Sequence, residues 1–146
     1  MIRKPLYKLP RGRSYGSEHD EQVQVFAWAR LMAVRFPEID LMFAIPNGGH
    51  RHITVASRMK SEGVKAGVPD IFLPVARGVF HGLWIEMKRS GAAPKRGGKG
   101  HLSDKQIDWM SKLKDQGYAA EVCYGSVAAI TVIEKYLTLP GHQVNA

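Results

Sequence analysis

The sequence predicts a single α/β domain in which a mixed central sheet is flanked by helices. Three observations lead there. The chain has 146 residues, a length that suits one compact core. Short apolar runs bounded by Pro and Gly alternate with longer amphipathic stretches, in the order helix, strand, helix, strand, strand, helix, strand, helix. There is no internal repeat, and no apolar run approaches the roughly 20 residues of a membrane span.

Each element has a local cause. Residues 1–16 read as a basic arm, with Arg3, Lys4, Lys8, Arg11 and Arg13 among prolines and glycines. It contains no apolar run of the kind a signal peptide needs. Ser17 is placed to cap a helix running to about Val34, and Pro37 ends that pattern. Leu41 to Ile45 is a short strand, closed by the loop signal Pro46-Asn47-Gly48-Gly49. Residues 52–62 read as a short basic helix stopped by Gly63. Asp70 to Pro74 and Leu83 to Lys88 are strands joined by a turn over Gly78 to Gly82. Ser90 to Gly100 is a glycine-rich basic loop. Ser103 opens a helix to about Gln116, with Gly117 after it. Ala119 to Tyr124 is a strand and Val127 to Leu137 the last helix. The domain is expected over residues 17–137, with a loose tail over 138–146.

Composition narrows the function classes. Lys and Arg outnumber Asp and Glu by 21 to 13, for a net charge of +8. That balance suits an anionic partner such as nucleic acid, or a soluble protein that is merely basic. Cys123 is the only cysteine, which excludes an internal disulfide and a Cys-rich zinc site and suits a reducing, cytoplasmic setting.

The chemistry concentrates on the strand Leu83 to Lys88. Alternation puts Leu83, Ile85 and Met87 on one face and Trp84, Glu86 and Lys88 on the other. A carboxylate and an ammonium on a half-buried strand are costly unless they are paired or bind something. An edge strand with a surface ion pair is the plain alternative. Asp70, entering the preceding strand behind Pro69, favours the first view: a hairpin-like connection brings it beside Glu86. Two such carboxylates, with the Met87 backbone carbonyl between Glu86 and Lys88, suit Mg²⁺ or Mn²⁺ completed by waters. Lys88 can orient a water and stabilise developing negative charge.

Pro69-Asp70 followed by Glu86-Met87-Lys88 resembles the signature of the PD-(D/E)XK nuclease superfamily. The flanking residues are more specific. Ile45-Pro46-Asn47-Gly48-Gly49, the run from Glu62 to Ile71 (EGVKAGVPDI), and Leu102-Ser103 with Gln106 resemble the VRR-NUC domain, the virus-type replication-repair nuclease. The resemblance spans about residues 17–137 and looks like the stand-alone phage and bacterial forms. It implies a restriction-endonuclease-like core and a Mg²⁺- or Mn²⁺-dependent endodeoxyribonuclease with Asp70, Glu86 and Lys88 as catalytic residues. It further implies a homodimer that resolves Holliday junctions. Flap, fork or plain duplex cleavage is the alternative within that class. Two other readings stay open: a non-catalytic DNA-binding module on a nuclease fold, and a sequence-specific restriction enzyme.

The family also uses a glutamate on its first helix. Glu18 shares a helical stripe with Gln22, Val25 and Ala29 and is favoured, touching the metal directly or through a water. Glu21 is the second candidate, and dipole complementation is the plain reading of either. Gln106 has two readings: partner of Ser103 in a capping box, or a group beside the catalytic strand, as in the family. His50 and His52 lack a third ligand at metal spacing, and the loop offers too few His and Asn for an HNH-type nuclease. Asn47 and Arg51 are placed to approach DNA. Arg58, Lys60, Lys65, Arg89, Lys95, Arg96 and Lys99 are further candidates for phosphate contacts or a solvated surface. Trp28, Trp84 and Trp109 lie on apolar patterns and read as core.

Overall fold

The computed structural model describes residues 16–46, 52–91 and 101–142. Helix α1 spans Glu18–Met32. Its cap is the expected Ser17, whose hydroxyl accepts from the Asp20 N–H at 3.2 Å while the Asp20 carboxylate accepts from the Ser17 N–H at 2.9 Å. The strand expected over Leu41 to Ile45 is shorter. Pro37 begins a 3-10 turn over Pro37–Leu41, and only Phe43–Ala44 forms β1. Proline at the start of a helical turn gives up no intrahelical bond, and its fixed φ favours the turn. That turn places Ile39 in the core at 2% exposure. Helix α2, Ile53–Ser61, buries no residue.

The remaining elements follow the sequence pattern closely. They are β2 (Ile71–Leu73), β3 (Leu83–Lys88), α3 (Asp104–Asp115), β4 (Ala119–Tyr124) and α4 (Ser126–Leu137). The sheet order is β1-β2-β3-β4. The first two pairings are antiparallel and the β3–β4 pairing is parallel, with α3 in the crossover.

β3 is central and carries both layers. Its odd-numbered residues, with Ile71 and Leu73 of β2, lie at no more than 1% exposure in one cluster with Val25, Trp28 and Ala29 of α1 and Ala129, Ile133 and Leu137 of α4. Removing a large aliphatic side chain from such a cluster costs about 2–5 kcal/mol. Helix α3 covers the opposite face beside β4, burying Met110 and Leu113. On that second face Trp84 stacks on Phe72, ring centroids 4.1 Å apart. Trp109 is half-buried. Among the described residues, no helix is long and apolar enough to cross a membrane.

The end of the domain differs from the loose tail expected from residue 138. Gly141 bridges to Arg77, and the Gly78 N–H donates to the Pro140 carbonyl at 2.8 Å. Arg77 also pairs with Glu38 and donates to the Leu137 carbonyl. Buried Tyr136 donates its hydroxyl to the Val75 carbonyl at 2.6 Å. Tyr136→Phe would leave that carbonyl unsatisfied, so denaturant melts should show a loss of about 1–2 kcal/mol. An unchanged midpoint would mean that water replaces the bond.

Candidate active site

Strand alternation alone would place Glu86 and Lys88 side by side, and packing then removes both from water. Glu86 is 2% and Lys88 6% exposed. Isolated charges at that depth cost several kcal/mol each, so they must be compensated. Lys88 Nζ lies 3.3 Å from Glu86 Oε1. The same Oε1 accepts from Gln106 Nε2 at 2.5 Å. Gln106 Oε1 in turn accepts from the Ser103 N–H at 2.9 Å and from Lys88 Nζ at 3.4 Å. Both readings of Gln106 therefore hold in one side chain. It closes the capping box of α3, and it faces the two charged groups of β3. A capping interaction and a site contact look mutually exclusive in one dimension. An amide with a donor end and an acceptor end satisfies both.

Asp70 reaches the group from β2. Its Oδ2 accepts from the Met87 N–H at 2.7 Å. The reason lies in the register. Ile71 pairs with Ile85. Two residues further on, that register sets Pro69 opposite Met87. Proline has no N–H. No ladder donor therefore stands opposite the Met87 carbonyl, and the Asp70 carboxylate takes up the Met87 N–H. The residue before the acid thus opens the edge of β3 where the acid arrives.

One atom in this group is left over. Glu86 Oε2 is buried and has no hydrogen-bond partner among the described residues. The electrostatics agree. Burial, the Asp70 charge and the Glu18 charge push the Glu86 carboxyl up to about 7, against the pull of Lys88. Burial likewise raises Asp70, opposed chiefly by the Met87 N–H, with the Glu18 charge raising it further. Glu18 is exposed on the first turn of α1, and its charge is felt by both acids. Among the described residues no three His, Cys, Asp or Glu side chains close a metal cage by themselves.

Glu21, the other helix acid, does something different. It is buried at 6% exposure. Its Oε1 accepts from the Ser90 hydroxyl at 2.5 Å, and its Oε2 accepts from the Ser126 N–H at 2.7 Å. Burial pushes its carboxyl up, but hydrogen bonds from Ser90 and Ser126 outweigh that and leave it lowered. Its sequence position, an acid in a first helical turn, carries no sign of this burial.

Four of the candidate DNA contacts lie among the described residues. Arg58 is exposed and pairs with Glu62 at 2.9 Å along α2. Lys60, Lys65 and Arg89 are exposed. Asn47, Arg51, Lys95, Arg96 and Lys99, with His50, lie outside the described residues. His52 is exposed, with Nδ1 2.6 Å from the Thr54 hydroxyl.

Gly67 docks the loop that carries Asp70 onto the start of α3. It has φ +88°, and a Cβ there would sit 2.8 Å from the backbone carbon and the Cβ of Lys105. Neither backbone conformation nor space admits a side chain.

A mixed sheet with helices on both faces, carrying two acids and a lysine on adjoining strands, has the architecture of restriction-endonuclease-like nucleases. The chain belongs to the VRR-NUC domain family, whose model matches residues 17–127. A solved structure described as a VRR_NUC domain protein is 29% identical, with a TM-score of 0.72 over 90% of this chain and 96% of that one. No curated protein matches the chain. Membership implies a nuclease-type function, with DNA as the substrate class.

Two outcomes follow from this geometry. Glu86 has a folded pKa of about 7, above its ordinary 4.5. Between those values the folded state holds a proton that the unfolded state has lost, so stability rises as pH falls through 7. Metal-free protein should be more stable at about pH 5.5 than at about pH 8 by about 2 kcal/mol, a difference that Glu86→Gln removes. Equal pH dependence in wild type and variant would show that Glu86 titrates normally. Gly67→Ala should separate the Asp70 loop from α3 and lower cleavage by about 10-fold or more at constant protein fold. Circular dichroism checks the fold, and wild-type cleavage rates would mean that the loop and helix need not touch.

Proposed function

We propose that the chain is a divalent-metal-dependent DNA endonuclease whose reacting groups are Asp70, Glu86 and Lys88, assisted by Gln106 and Glu18. The single observation that carries this reading is the buried Glu86 Oε2, which has no partner among the described residues, beside a second raised carboxyl. A buried carboxylate oxygen without a donor is an expensive arrangement unless a cation completes it. The donor set suits Mg²⁺ or Mn²⁺: hard oxygens from Asp70 and Glu86, the Met87 carbonyl facing an absent ladder donor, and Glu18 further out. Mg²⁺ keeps several waters and rarely sits in an all-protein cage, so two acids and one carbonyl, with no third acid closing a cage among the described residues, fit it. When bound, such a cation would offset charge on the scissile phosphate and lower the pKa of a water.

The chain's own groups supply the rest. Lys88 directs its ammonium to Glu86 Oε1 and Gln106 Oε1 and has a third donor for a phosphate oxygen or the attacking water. Gln106 holds Glu86 by its amide nitrogen and Lys88 by its amide oxygen, so the two charged groups keep one relative orientation. Burial strengthens every interaction made there. The net charge of +8 attracts the polyanion.

Branched DNA, with a Holliday junction as the preferred form and a homodimer presenting two sites, is the substrate we favour on the strength of the family resemblance. Flaps and forks are the alternative. Cys123 is the only cysteine in the sequence, which suits a reducing cytoplasm, and burial pushes its thiol up to about 12, so it is an unreactive core group.

The test is a labelled panel of four-way junction, flap, fork, duplex and single strand, incubated with Mg²⁺ or Mn²⁺. Symmetric cuts across the junction are expected. Asp70→Asn, Glu86→Gln and Lys88→Ala should each lower cleavage by about 10³-fold or more while DNA binding persists. Mn²⁺ should raise the melting temperature of wild type more at about pH 8 than at about pH 6, because protons compete for Glu86. Binding of every substrate without cleavage in either metal would favour the non-catalytic module. Full activity of Glu86→Gln would remove the site assignment.

A further inference from the structure

Three separate parts of the chain meet at the Glu21 carboxylate. Glu21 lies on α1. Ser90 lies two residues past Lys88, where the chain leaves β3. Ser126 begins α4 directly after β4. The hydroxyl of Ser90 donates to Oε1 at 2.5 Å, with the Ser90 N–H at 3.5 Å, and the N–H of Ser126 donates to Oε2 at 2.7 Å. The Ser126 hydroxyl donates to Gln24 Oε1 on the same helix as Glu21, at 3.0 Å.

The junction is closed on its other side as well. The N-cap of α4 is Gly125, which has no side chain to satisfy the first amides. Glu21 supplies the missing acceptor from another helix, where a negative charge also complements the dipole of α4. The Gly125 N–H donates to the Lys88 carbonyl at 2.7 Å. Gly125 has φ +93°, and a Cβ there would lie 2.9 Å from Ser90 Cβ and 3.7 Å from Glu21 Oε2. The backbone of Lys88 is thus gripped on one side by Gly125, and the chain two residues on is gripped by Glu21.

We infer that Glu21 is a positioning residue, which fixes the exit of β3 against α1 and α4 and thereby sets where the Lys88 ammonium stands. A general structural acid could sit anywhere in the core. This one binds the two segments that hold the backbone of Lys88, and it touches none of Asp70, Glu86 or Gln106. The lowered carboxyl keeps it charged wherever the enzyme would work. The role rests on the nuclease reading only for its consequence, the rate of cleavage. The placement of Lys88 can be read without DNA.

The experiment uses the full chain, with Glu21→Ala, Glu21→Gln and Ser90→Ala beside wild type. Cleavage of a branched substrate in Mn²⁺ yields kcat, KM and the metal midpoint. The Lys88 side-chain ammonium resonance of metal-free protein reports its surroundings. Glu21→Ala should lower kcat by about 10- to 100-fold, with KM and the metal midpoint within about 2-fold, because a shift of the order of 1 Å suffices. Ser90→Ala should lower kcat by about 3- to 10-fold in the same pattern. Glu21→Gln should rescue most of the loss. Its amide oxygen can accept from Ser126 and its amide nitrogen can donate to the Ser90 hydroxyl. The Lys88 resonance should move in both alanine variants and return in Glu21→Gln.

If Glu21→Ala fails to fold, Ser90→Ala decides, since it leaves the Glu21–Ser126 bond in place. Folded alanine variants with wild-type kcat and an unmoved Lys88 resonance would overturn the role. So would a loss seen only in KM or in the metal midpoint. If wild type cuts no DNA, the proposed function falls, and the Lys88 resonance still decides the role of Glu21.

Discussion

The rest of this structure depends on charge carried into the interior by β3. Glu86 and Lys88 sit on the strand that also supplies the centre of the apolar core, and both are nearly inaccessible to solvent. An ion pair at that depth gives little net stability, because desolvation offsets attraction. A well-packed apolar pair would serve the fold as well. The two charges are instead surrounded by groups that tolerate them incompletely. Gln106 and Lys88 satisfy one oxygen of Glu86, and the other oxygen has no donor among the described residues. Residual strain of that kind belongs where a ligand is to arrive.

Holding these charges in one geometry takes the whole domain. The odd face of β3 is locked by α1 and α4, so the strand cannot rotate. The even face meets the start of α3, where the capping box delivers Gln106. The Asp70 loop is pressed onto the same turn of α3 through Gly67. At the far end of β3, Gly125 and Ser90 hold the chain as it leaves the sheet. Each contact joins an element that provides packing to a residue in or beside the charged group. Local changes in packing should therefore be felt at the charged group, as expected for an interior packed at crystalline density.

The regions that do not hold the site are built otherwise. Helix α2 buries nothing and presents Arg58 and Lys60 to solvent. β1 has shrunk to two exposed residues at the sheet edge. A short edge strand limits unwanted pairing with other chains.

Much of this was legible in the residues. Short apolar runs bounded by turn residues placed β3 and β4 to the residue, and alternation then gave the two faces of β3. Serines at 17 and 103 marked the two capped helices, since that chemistry is local. The nuclease class was readable from the resemblance carried by Pro69-Asp70, Glu86-Met87-Lys88 and the more specific runs that flank them, and the family match agrees with it. Sequence misjudged β1, where Pro37 begins a turn as readily as it ends a helix. It could not reveal that Gln106 caps a helix and faces Glu86 at once, which requires α3 to lie on the even face of β3. Nor could it separate the two helix acids. Glu18 and Glu21 are nearly interchangeable in pattern, but Glu21 reaches partners 69 and 105 residues away. What the sequence by itself determined is the identity of the chemical groups and the local elements that bear them. Tertiary structure alone decided which acid is exposed near the charged group and which is buried as a brace, because burial and hydrogen-bond partners arise only when distant segments pack together.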